Sequence, residues 1–108
     1  MALVIDTPTL KSFFESTLVR VATKLNIQDA DWKSSHELYS EIANVNGDMY
    51  KLLVDFFTAY IAWYNVHVDI DKAGTAGQLT VEQNKALNDA CNARDQTRSI
   101  LIDAYHQI

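Results

Sequence analysis

Helix breakers are nearly missing from this chain: its 108 residues include one proline, Pro8, and three glycines, Gly47, Gly74 and Gly77. A backbone so composed is free to be helical over most of its length. Cys91 is the single cysteine, which excludes an intrachain disulfide and suits a reducing compartment. Long apolar runs are also missing. Phe56 to Val68 lacks a charged residue for only 13 positions, against the roughly 20 that a helix needs to cross a bilayer. The opening Met1-Ala2-Leu3-Val4-Ile5-Asp6 has no basic region and meets an acid early, unlike a secretory signal. A cytoplasmic protein without a membrane span is the expectation.

Chemistry-bearing motifs are equally scarce. There is no Cys-x-x-Cys or His-Glu-x-x-His spacing, no Gly-x-Ser-x-Gly elbow and no glycine-rich phosphate loop. Cys91 lies among alanines in a helix interior, where a thiol is inert. No catalytic residue, metal ligand or cofactor is therefore assigned, and an enzyme is not the first expectation.

The net charge of −5 is unevenly spread. Residues 26–71 carry eight acids against two bases, a net of −6, whereas residues 72–108 carry four of each. Phosphate backbones repel such a surface, so nucleic acid is not expected as a direct partner. An acidic inhibitor of a basic protein is one reading of the acidic middle. A solvated face that keeps the chain soluble is the plainer one.

What is present is helical periodicity. Thr7 and Pro8 supply an N-cap and a first helical residue. Leu10, Phe14, Leu18, Val21 and Leu25 then form one stripe, and the polar run Asn26 to Ser34 ends it. Trp32 within that run is expected to fold back onto the core edge. Ser34 and Glu37 have the spacing of a capping box. From there ten positions alternate steps of four and three without a polar exception: Leu38, Ile42, Val45, Met49, Leu52, Phe56, Ala59, Trp63, Val66 and Ile70. Because the phase persists through Asn46-Gly47-Asp48, one long helix from Ser35 to about Lys72 is expected, kinked at Gly47. Two helices split there are the alternative. Lys72 to Gln78 reads as a connection, and Thr80 with Gln83 caps a last helix. Its apolar side is built largely of small residues: Ala86, Ala90, Cys91, Ala93, Thr97 and Ala104. The fold expected is a single all-α domain over residues 1–108, an antiparallel bundle of three or four helices around the long one.

Two functional readings follow. In the first, the protein is a non-enzymatic interaction or assembly module, partnered by itself as a dimer or higher homo-oligomer, or by another protein. Too little chain remains to cover the early seam, so Leu38, Ile42, Val45 and Met49 are the expected interface. The second reading rests on Arg94 and Arg98, one turn apart at the centre of an apolar arc. Unless paired with an acid such as Asp71, Asp55 or Glu41, they would bind a small anion. His67, oriented by Asp71, and the aromatic residues Tyr60 and Trp63 would line that site.

Overall fold

A computed structural model describes residues 8–72 and 78–108. The expected Thr7 cap, and the connection at 73–77, lie outside them. The described residues form four α-helices, α1 (Pro8–Lys24), α2 (Ser35–Val45), α3 (Gly47–Lys72) and α4 (Val81–Gln107), with a 3₁₀ turn (Ala30–Trp32) between the first two. It is all-α, and α3 packs closely on α4.

The ends of these helices follow local chemistry. Past α1, Asn26 adopts a left-handed φ of 63°. Its N–H donates to Thr23 O and that of Ile27 to Ala22 O, both at 3.0 Å, the paired bonds of a Schellman stop. At α2, Ser34 Oγ accepts from Glu37 N at 3.2 Å. The reciprocal half of that box is replaced, because the Ser34 hydroxyl donates to the Glu37 carboxylate at 3.3 Å. At α4 the box is complete, with Gln83 N donating to Thr80 Oγ1 and Thr80 N to Gln83 Oε1.

The long helix expected over 35–72 is two helices, broken at Asn46. That residue has φ −151° and ψ 91°, far from the helical ψ of about −42°. One asparagine serves both ends: its N–H caps Ile42 O at 2.8 Å, and its Oδ1 accepts from Met49 N at 3.1 Å. The chain turns sharply there. Tyr39 and Phe57 would stand roughly 27 Å apart along a straight helix, yet their rings meet edge to face at 6.3 Å. Thus α2 folds back beside α3.

This reversal covers the early seam from within. Leu38 is 1% exposed, Ile42 0% and Met49 2%, so only Val45 of the four residues expected at an interface faces solvent. The core forms where α1, α2 and the first half of α3 converge, with Phe14, Leu18, Leu38, Ile42, Leu53 and Phe57 at its centre. From α4 only Leu101 joins it fully. The rest of α4 lies along α3 through one stripe, Gln83, Leu87, Ala90, Arg94, Thr97, Leu101 and Ala104, all at least partly buried. Ala86, Ala93 and Ile100 of its expected apolar side are exposed instead.

Gly47 therefore opens α3 and does not end α2. A Cβ built on it meets nothing within 4 Å. Gly47→Ala should raise stability by about 0.5 kcal/mol through the unfolded state, read as a higher Tm in thermal unfolding. A loss of stability would mean that position 47 needs a conformation only glycine adopts.

Candidate functional site

Four of the five candidate ligand residues come together, on the outer half of the α3–α4 hairpin. Tyr60, Trp63 and His67 succeed one another along α3 at helical spacing. The Tyr60 and Trp63 rings meet edge to face at 5.5 Å, and His67 stacks on Trp63 at 5.7 Å with planes 10° apart. His67 Nε2 stands 3.4 Å from Asp71 Oδ2, the orienting contact that the i,i+4 spacing implied. From α4, the Arg94 guanidinium lies over the Trp63 ring at 4.4 Å.

Arg94 is already engaged. Its Nε donates to Asp95 Oδ1 at 3.0 Å, and its Nη2 stands at the same distance from that oxygen. Asp71, Asp55 and Glu41, the acids expected to pair with it, do not. Asp71 faces His67, Glu41 binds Lys33 at 2.7 Å, and Asp55 is exposed. The partner escapes a search across facing helices because it is the next residue in sequence, and adjacent helical residues point in different directions. A long arginine reaching back along its own helix overcomes that. Arg98, the fifth candidate, is exposed and makes no ion pair with a described residue.

The four form a stacked ladder along the hairpin surface. Two clefts lie away from it. One of about 480 Å³ runs between α2 and α3, lined by His36, Tyr39, Ser40, Ala43, Tyr50 and Val54. A smaller one of about 160 Å³ separates α1 from the end of α4, beside Arg20, Leu101 and Tyr105. Sequence reasoning missed the first, since Tyr39 and Tyr50 meet only because the chain reverses at Asn46; their rings stand edge to face at 6.2 Å. Burial, with the Tyr50 charge second, pushes the Tyr39 hydroxyl up from 10.0 to about 12. Among the described residues, no group of three or more His, Cys, Asp or Glu is placed to hold a metal ion. Nor, among the described residues, is any helix long and apolar enough to cross a membrane.

Compared with known proteins, the chain matches no family model, no curated protein and no solved structure, so its reading rests on its own residues.

Two measurements check this geometry. Arg94→Met, which removes the cation from Trp63, should lower stability by up to about 1 kcal/mol, whereas Arg98→Met should leave the thermal midpoint unchanged. A larger loss at Arg98 would contradict the placement. In a phenolate absorbance titration, Tyr39 should ionise well above the ordinary 10.0, near 12. The folded state holds the Tyr39 proton after the unfolded chain has released it, so stability is full below pH 10 and falls as pH rises toward 12. Tyr39→Phe should flatten that alkaline decline.

Proposed function

We propose that this chain is a non-enzymatic protein–protein interaction module that assembles with a second copy of itself through the outer half of its α3–α4 hairpin. One observation carries the reading: among residues 62–72 and 78–100, not one is buried. Trp63, Tyr64, Val66, Val68, Ile70, Leu87, Ala90 and Cys91 are all partly exposed there. Two helices alone enclose no core, because each hides only the side that faces the other.

The uncovered side can be named. In the core half, α1 covers the α3 stripe through Phe14, which stacks on Phe57 at 4.2 Å. Pro8 lies six residues, roughly 9 Å, before Phe14, so α1 reaches only to about Tyr64. Val68, one turn further, is half-buried. On α4, Tyr105 lies beside α1, with Lys24 Nζ 5.3 Å from its ring centre. Cys91 and Arg98 share that side by heptad spacing. Tyr64, Val68 and Cys91, all partly exposed on the outer half, are the residues we place at the interface.

Charge favours a like partner. The outer hairpin, residues 62–100, carries five acids and four bases, a net of −1, while residues 26–61 carry six acids and two bases. Two copies overlapping their hairpins antiparallel about a two-fold axis keep the acidic ends apart and bury the same stripe twice. The small-anion reading receives less support, since Arg94 is satisfied within the chain by Asp95 and Arg98 stands apart from the ladder, exposed.

Sizing with light scattering at tens of micromolar should find a dimer, and Val68→Glu a monomer with an unchanged circular dichroism spectrum. An unmodified protein that is monomeric under those conditions would sink the proposal.

A further inference from the structure

Trp32 is 88% exposed, the opposite of the core-edge position its size suggests. The turn that carries it is tied to the fold at several points. Ala30, two residues earlier, is 5% exposed and plugs into the core. Trp32 N donates to Asp29 O at 3.0 Å and Lys33 N to Ala30 O at 3.3 Å. Lys33 is tied in turn to both oxygens of Glu41, at 2.8 and 2.7 Å. Asp29 holds a left-handed φ of 57°. The indole is thus presented on a rigid mount, which lowers the ordering cost of binding. Exposed, ordered tryptophans of this kind are the residues that anchor interfaces.

The surroundings select the partner. Asp29 and Asp31 flank the indole, both exposed and both without an ion pair to a described residue. The neighbouring cation, Lys33, is held by Glu41. Thr23, Asn26, Ile27 and Gln28 floor an adjacent cleft of about 380 Å³. Elsewhere the same molecule displays the completed arrangement. Arg94 lies 4.4 Å over Trp63 while its guanidinium bonds the Asp95 carboxylate. Trp32 with Asp29 and Asp31 supplies the ring and the carboxylates of that trio without the guanidinium.

We infer that the α1–α2 turn is a docking point for an arginine side chain of another protein. Its guanidinium stacks on Trp32 and bonds Asp29 or Asp31, and its aliphatic stem lies along the Thr23–Gln28 cleft. A planar guanidinium does both at once, which a lysine ammonium cannot. This surface is separate from the hairpin face proposed for self-assembly.

The test is an NMR titration of the whole ¹⁵N-labelled chain with hexa-arginine peptide, with hexalysine as a control of equal charge. Two tryptophans give two indole N–H signals, assigned with Trp32→Phe, and Trp63 serves as the internal reference. Hexa-arginine should shift the Trp32 signal saturably and leave that of Trp63 in place. Hexalysine, and hexa-arginine against the Asp29→Asn, Asp31→Asn double variant, should each bind about fivefold more weakly. Three results would overturn the inference: no saturable shift, equal binding of the two peptides, or a Trp32 signal that moves with protein concentration alone. The last would mean that a second copy covers the site.

Discussion

Phe57 is the point on which the fold turns. Its side chain is 1% exposed and touches three elements: it stacks with Phe14 of α1 at 4.2 Å, meets Tyr39 of α2 edge to face at 6.3 Å, and adjoins Phe56 on its own helix. Burying such a side chain is worth about 1.5–3 kcal/mol, and each well-placed ring contact adds about 0.5–1.5 kcal/mol. These contacts tie the first three helices together. The ring series continues from Phe56 through Tyr60 and Trp63 to His67, so one row of aromatics runs from the core out along the hairpin. The composition of α3 thereby decides both ends of the molecule. Its early rings are enclosed by α1 and α2, Tyr60 still meets Phe13 and Phe14, and of the late ones Trp63 meets Arg94 of α4.

Helix α4 meets the late ones with small side chains. Ala90, Thr97 and Ala104 let its backbone come near α3, yet they offer little surface to cover an indole or a phenol. Arg94 fills the place a large apolar residue would take in a core. Its stem packs, its guanidinium lies on Trp63, and Asp95 satisfies the charge at the edge, so no buried ion is left unpaired. A polar rung of this kind keeps two helices in register at little cost, whereas an isolated cation in a sealed core would not be tolerated.

How far these features could be read from residues alone depends on what each signal measures. The Thr80–Gln83 box, the Ser34 cap and the end of α1 near Asn26 are local chemistry, and they lie where the sequence puts them. At Gly47 the split, the alternative to one kinked helix, is what forms, and the spacing favours continuity there for a physical reason. Asn46 takes the place of one helical residue, so the four–three spacing from Leu38 to Met49 survives although the direction of the chain does not. Phase reports the number of residues between apolar positions and is blind to a reversal that inserts none. The misplaced interface follows from the same step, since Leu38, Ile42 and Met49 look uncovered only if α2 points away from α3. For the arginines, an apolar arc buries only what a neighbour covers: Arg94 lies over Trp63, whereas Arg98, one turn on, is exposed. Trp32 carried no signal, because hydrophobicity alone says nothing about whether a turn faces in or out.

The division between a closed core and an open hairpin also bears on stability. Residues that make few buried contacts open with lower free energy than the core. The outer α3–α4 hairpin therefore unfolds more readily than the region around Phe57. Any partner that binds only the ordered hairpin stabilises it by mass action. On the assembly reading, ordering of the hairpin and association are linked equilibria, each strengthened by the other. The α1–α2 turn stands apart from this linkage, because Ala30 fixes it to the closed core. A ligand at Trp32 would then find its site formed whether or not the hairpin has a partner, and the two surfaces can act independently within one small domain.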